Sequence, residues 1–126
     1  MLTMMNRLWE IKNNWLYKTR LEGLQRKASM NPQNLIFQVR MGDFLAKINR
    51  TKEAVEVYER TAQEFIRKNL FAQAIALKKV IFHTDPFRDA GEQAVILDRL
   101  YIQMLESKTE AQTIKEETLQ GTSPPP

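Results

Sequence analysis

A three-residue motif that recurs about every twenty residues places the strongest constraint on what this chain can fold into. Each copy has a long polar residue, then Ala, then a β-branched residue, and the copies are Glu53-Ala54-Val55, Gln73-Ala74-Ile75 and Gln93-Ala94-Val95. The first two copies lie between Asn31-Pro32 and Asp85-Pro86, where proline disfavours continuation of a helix. Such recurrence is typical of helices that stack in a repeat. The pattern predicts stacked helical hairpins and gives no sign of a catalytic site.

The spacing of apolar residues predicts helices along the whole body of the chain. Four helices are expected after the first proline, at residues 33–48, 52–68, 71–83 and 89–107. Thr51 is expected to be the N-cap of the second of these. No stretch alternates apolar and polar residues over a strand's length. The predicted fold class is therefore all-α.

Small residues mark where these helices are expected to touch. Gly42 and Ala54 are twelve positions apart, as are Ala62 and Ala74. This interval places two small residues opposite each other in an antiparallel pair of helices. Small side chains at that point let the two helices approach closely. Gly42 costs its helix about 1 kcal/mol relative to Ala, so we expect it to allow close approach of another helix backbone.

The two ends of the chain are expected to differ from its middle. Residues 1–30 are predicted to be helical with a break near Asn13-Asn14, because Asn favours turns over helix interiors. The polar and Pro-rich end of the chain is predicted to be frayed or flexible. The expected regions are an amphipathic arm at 1–15, a helical domain at 16–107 and a tail at 108–126.

The charge of the chain is concentrated near its start. The formal net charge is +4, and residues 1–30 carry Arg7, Lys12, Lys18, Arg20, Arg26 and Lys27 against Glu10 and Glu22. The remainder has equal numbers of both signs, so the surplus belongs to the N-terminal region. There is no Cys, no apolar run of membrane-spanning length and no secretory-signal pattern. We therefore expect a cytoplasmic protein.

The first fifteen residues carry a large apolar load for a terminal segment. Met5, Leu8 and Trp9 are the candidate docking residues within it. One interpretation is that the arm covers the end of the helix stack, since terminal repeats need such covering. The other is that it docks onto a partner or a membrane surface, which suits Met-rich and Trp-bearing segments with basic flanks.

Residues that could perform chemistry are sparse. His83 is the only histidine and stands at a predicted helix C-terminus, where a cap or surface role suits it. The sequence lacks a clustered metal-ligand pattern and a Gly-rich phosphate loop. We expect no enzyme activity, no cofactor and no metal. Nucleic-acid binding is disfavoured because no basic stripe crosses the domain.

Two overlapping segments resemble the tetratricopeptide repeat, whose pattern is Trp-x2-Leu-Gly-x2-Tyr, then Ala-x3-Phe, then Pro. Met41-Gly42-x2-Leu45 followed by Ala54-x3-Tyr58 is similar to one repeat, with Gln38 in the place of the Trp. Tyr58-x2-Thr61-Ala62-x2-Phe65, followed by Ala74 and Pro86, is similar to a second, with Lys78 in the place of the aromatic. The resemblance covers residues 31–86 and is closest to bacterial scaffold proteins of this type.

This resemblance implies a short α-solenoid that acts as a non-catalytic adaptor for a protein or peptide partner. In such stacks the first helix of each hairpin lines a concave groove that takes the partner's chain. Carried over to this sequence, the groove candidates are Val39, Asp43, Ala46, Lys47, Glu59, Gln63, Ile66 and Arg67.

Two other functions stay open at this point. A short stack leaves apolar ends exposed, so the chain could be a structural protein that assembles with its own copies. The basic N-terminal arm could instead attach the chain to a membrane surface or a nucleic acid.

Overall fold

The chain is all-helical throughout the part that its structure describes. A computed structural model describes the backbone of residues 2–121 and the side chains of residues 15–119. Within these bounds it contains no strand, which confirms the predicted fold class. The five helices are α1 (Leu2–Met30), α2 (Ile36–Lys47), α3 (Thr51–Arg67), α4 (Phe71–Thr84) and α5 (Gln93–Gly121).

The predicted break near Asn13-Asn14 is wrong, because α1 continues through both residues. An Asn in a helix interior costs less than about 1 kcal/mol relative to Ala, and this part of the chain has no proline. The predicted boundary between an arm at 1–15 and a domain at 16–107 therefore falls inside one helix. The docking candidates Met5, Leu8 and Trp9 belong to this helix, but their side chains lie outside the described residues.

The predicted helix end near Ser107 is also wrong, because α5 continues through residues 108–121. This segment is rich in Glu, Lys and Gln, which favour helices, and the first proline after Pro86 is Pro124. The hydroxyl groups of Thr109 and Thr113 donate hydrogen bonds to the carbonyls four residues earlier, which keeps them compatible with the helix. Of the predicted tail, residues 122–126 lie outside the described backbone.

Three helix starts also differ from their predicted positions because of the local structure of the preceding turns. Helix α2 starts at Ile36 instead of residue 33, where the Asn34 carboxamide accepts a hydrogen bond from the Ile36 amide. Thr51 is the first residue of α3 and Arg50 is the N-cap, without a side-chain cap. Helix α5 starts at Gln93 instead of Asp89, because Asp89 and Gly91 have positive φ angles of 53° and 89°.

Two turns of the same design connect the middle helices. Asn49 and Asn69 follow α2 and α3, and both have left-handed backbone angles, with φ of 63° and 60°. The amide after each Asn donates to a carbonyl five residues earlier, from Arg50 to Leu45 and from Leu70 to Phe65. Asn tolerates this backbone conformation better than other non-glycine residues do. The twenty-residue recurrence of the sequence is therefore also a recurrence of turn geometry.

Each helix packs against the next one along the chain, and the main core lies between α2, α3 and α4. Ala54, Ala62 and Ala74 have no exposed surface, in agreement with their predicted place at helix contacts. Gly42 is also buried, but its neighbour is the ring of Tyr58 and not a helix backbone. The third copy of the motif differs from the first two, since Ala94 and Val95 are exposed.

The contact between Gly42 and Tyr58 predicts an asymmetric response to adding one methyl group. A Cβ atom on Gly42 would stand 2.5 Å from the Tyr58 ring, whereas a Cβ atom on Gly23 would meet nothing within 4 Å. Overpacking costs about 1–3 kcal/mol and the helix regains about 1 kcal/mol from Gly→Ala. Gly42→Ala should therefore lower the free energy of unfolding in urea by up to about 2 kcal/mol.

Gly23→Ala is the matched control, because it should raise the free energy of unfolding by up to about 1 kcal/mol through helix propensity alone. Equal changes in the two variants would contradict the packing of Tyr58 on Gly42.

Candidate functional site

A groove of about 620 Å³ runs between α1 and α2 and is lined by cationic side chains. Its four cations are Arg20 and Lys27 from α1 and Arg40 and Lys47 from α2. The two residues of each pair are seven positions apart, so they lie on the same face of their helix, two turns from each other. Two helices packed side by side thus bring four positive charges to one channel.

The floor of the groove is apolar and open. Leu24 and the buried Phe44 form it, and Gly23 leaves space because it has no side chain. The Arg20 guanidinium lies 5.3 Å from the centroid of the Phe44 ring, which fixes it by a cation–π contact. A bound chain would therefore find apolar surface in the middle and positive charge along both edges.

Asp43 is the single acid among the lining residues, and it is held in place from the core. The buried Tyr58 hydroxyl donates a hydrogen bond of 2.5 Å to Asp43 Oδ1. Burial, together with this hydrogen bond to a carboxylate, raises the pKa of Tyr58 well above its ordinary value. The hydroxyl therefore stays protonated as a donor at neutral pH.

The charge balance of the groove is positive. Four cations against one carboxylate leave a formal excess of three positive charges. Within residues 15–119, none of the four cations is within ion-pair distance of an acidic side chain. Desolvating unpaired cations costs free energy, so a partner that supplies carboxylates is favoured over a neutral one.

The structure divides the eight groove residues predicted from the sequence among several places. Asp43 and Lys47 line the groove between α1 and α2. Val39 and Ala46 are partly buried, pack against the main core and are not among the residues that line this groove.

The four predicted residues on α3 do not reach that groove. Gln63 and Arg67 line a second groove, of about 640 Å³, beside the segment that precedes α2. The hydrogen bond that Arg67 donates to Glu64 lowers the pKa of Glu64, so this groove carries a paired charge. Ile66 packs against a smaller core cluster around Phe71.

Glu59, the fourth of these residues, holds a charge network between α3, α4 and the connection to α5. Its two carboxylate oxygens accept hydrogen bonds from Lys78 Nζ at 2.7 Å and from Arg88 Nε at 3.0 Å. The Lys78 side chain is only 10% exposed, so its ammonium depends on this partner. Lys78, which stands where the tetratricopeptide pattern has an aromatic residue, is therefore a paired cation. Both oxygens of Glu59 are used in holding α4 and the following connection, so Glu59 has a structural role.

Arg20, Lys27 and Arg40 are the groove residues that sequence reasoning missed. The sequence places the positive surplus of residues 1–30 in a terminal region, whereas the structure shows that Arg20 and Lys27 line a groove shared with α2. The seven-residue spacing in both helices, Arg20 to Lys27 and Arg40 to Lys47, was the available signal.

Two other kinds of site, a metal centre and a membrane-spanning helix, have no support among the described residues. No group of three His, Cys, Asp or Glu side chains within that part of the chain is arranged to hold a metal ion. None of its helices is both long enough and apolar enough to cross a bilayer. His83 is exposed on the last turn of α4, where it adds a basic residue to the helix C-terminus.

Comparison with known proteins gives no relative: no protein-family model, no curated protein and no solved structure matches this chain.

The network around Glu59 predicts a large loss of stability from removal of one charge. Glu59→Gln should lower the free energy of unfolding by about 2–3 kcal/mol, because Lys78 would be left as a nearly buried unpaired cation. The measurement is urea denaturation followed by circular dichroism at pH 7.

Glu53→Gln on the same helix is the control, since the Arg50–Glu53 pair is about half exposed and should change stability by less than about 1 kcal/mol. Similar losses in both variants would show that the network contributes no more than an exposed ion pair.

Proposed function

We propose that this protein is a non-catalytic adaptor, built as a short tetratricopeptide-like α-solenoid of antiparallel hairpins, that binds an acidic amphipathic helix of a protein partner. The binding site is the groove between α1 and α2. The single observation that carries the proposal is the set of four cations around an apolar floor, with only Asp43 as an opposing charge.

The solenoid architecture is supported by repetition in the middle of the chain. The connections at 48–50 and 68–70 have three residues each and the same left-handed Asn, and each joins two helices that pack together. Short connections of this kind join antiparallel neighbours. A series of such pairs gives a stiff body with elongated grooves between its helices, which is the form that helix-binding scaffolds use.

The chemistry of the groove favours a protein helix over a nucleic acid. Single-stranded nucleic acids are held by stacking on exposed aromatic rings, and among the described side chains the only aromatic one that lines this groove is the buried Phe44. A helix that carries glutamates beside an apolar stripe satisfies both the cationic edges and the apolar floor.

Binding to a designed peptide tests this function directly. A fluorescein-labelled amphipathic helix with glutamates beside a leucine stripe should bind, as measured by fluorescence anisotropy at low salt. Lys27→Glu combined with Arg40→Glu should weaken binding at least about tenfold, because like charges would face each other in the groove.

Arg26→Glu combined with Lys52→Glu makes the same change in net charge at exposed positions outside the groove, and this control should change binding by less than about threefold. A peptide with glutamine in place of glutamate should bind the wild-type chain weakly. Equal binding of both peptides, or equal losses in both variants, would overturn the proposed site.

A further inference from the structure

Helix α5 has one face in the body and an opposite face in solvent. Leu100 is 5% exposed and, together with Leu97 and Met104, packs towards α4. At about 100° per residue, Ile102 and Leu105 point to the other side of the helix. They are 54% and 60% exposed, and a shallow apolar depression extends from them to Glu110.

Acidic residues continue the same face beyond this apolar patch. Glu106 and the pair Glu116-Glu117 lie within roughly 60° of the direction of Ile102 when the helix is viewed along its axis, and Glu110 lies roughly 80° from it. Lys108 and Lys115 lie more than about 100° away, towards the side that packs on α4. The free side of α5 is thus an amphipathic surface on which these four glutamates outnumber the one cation, Arg99, while the lysines lie on the other side.

We infer that the free face of α5 from one copy of this chain docks into the groove between α1 and α2 of a second copy. Ile102 and Leu105 would lie on the apolar floor of that groove, and the glutamates would pair with its cations. This inference rests on the proposed function and names the partner helix as the protein's own. Charge complementarity selects it, because the groove carries excess positive charge and this face of α5 carries negative charge.

The same chain cannot supply both parts of this contact to itself. The helices pack in the order of the sequence, so α5 lies against α4 and the groove lies at the other end of the series. Helix α5 is continuous from Gln93 to Gly121 and has no break at which its end could return. A second molecule must therefore provide the helix.

Such a contact is heterologous, because two different surfaces meet. Each added copy leaves one groove and one α5 face free, so the assembly grows head to tail unless its rotation closes a ring. A few helical turns in a groove bury less than about 1,200 Å² in total, which is the range of weak and transient interfaces. Assembly should rise with protein concentration and fall with salt.

Sedimentation velocity of the full chain tests the inference. The wild-type protein should exceed the monomer mass progressively between about 10 μM and about 1 mM at low salt. Two variants should each remain monomeric: Lys27→Glu/Arg40→Glu, which reverses the groove, and Glu106→Lys/Glu110→Lys, which reverses α5. Glu22→Lys/Glu56→Lys, which changes exposed acids outside both surfaces, should assemble as the wild type does.

Mixing the two monomeric variants separates this contact from other kinds of pairing. One variant keeps its α5 face and the other keeps its groove, and the two reversed surfaces also match each other in charge, so the mixture should assemble head to tail with the two variants in alternation. All four substitutions in one chain exchange the charges of both surfaces and should restore assembly. A wild-type chain that stays monomeric, or a groove variant that still assembles, overturns the inference.

The peptide-binding experiment tests the proposed adaptor function separately from docking of α5. A monomeric wild-type chain that binds the acidic peptide in its groove would exclude docking of α5 but retain the adaptor function. A monomeric chain that does not bind the peptide would overturn both.

Discussion

The placement of Tyr58 on Gly42 is the contact on which the rest of the structure depends. The ring lies 2.5 Å from the position that a Cβ atom of residue 42 would take, so the side chain of α3 fits against α2 at this point because residue 42 is glycine. The hydroxyl of the same residue reaches through to Asp43 at the edge of the groove. One side chain therefore joins the core of the protein to its candidate binding surface, and the orientation of α2 sets both.

Two sets of charged residues in this molecule have different physical roles. Around Glu59 they are half-buried and mutually satisfied, so they specify how α4 and its following connection sit on α3. In the groove between α1 and α2 they are cationic, exposed to solvent and not offset by acids, apart from Asp43. The first arrangement stabilises the fold, whereas the second leaves favourable electrostatic free energy available to a ligand.

The middle of the fold was predictable from the sequence, and its ends and its groove were not. Proline stops and turn-forming Asn residues bound α3 and α4, so local chemistry alone located them to within a residue or two. The extents of α1 and α5 depended on whether the helix propensity of the surrounding residues exceeded the small cost of unfavourable ones such as Asn13 and Asn14. That balance cannot be read from single positions. Predicting the groove would have required the relative rotation of α1 and α2. Arg20 and Arg40 come to line one groove only when these two helices pack.

The connection after α4, which contains the left-handed residues Asp89 and Gly91, separates the third copy of the three-residue motif from the first two. The connections at 48–50 and 68–70 set the next helix in the same rotational phase, so Ala54 and Ala74 both turn inward. The longer connection after α4 changes that phase, and Ala94 turns outward although its sequence context is the same. Backbone geometry at this one loop therefore decides which side of α5 faces solvent: α5 packs on α4 through Leu97, Leu100 and Met104 and leaves Ala94 and Val95 exposed.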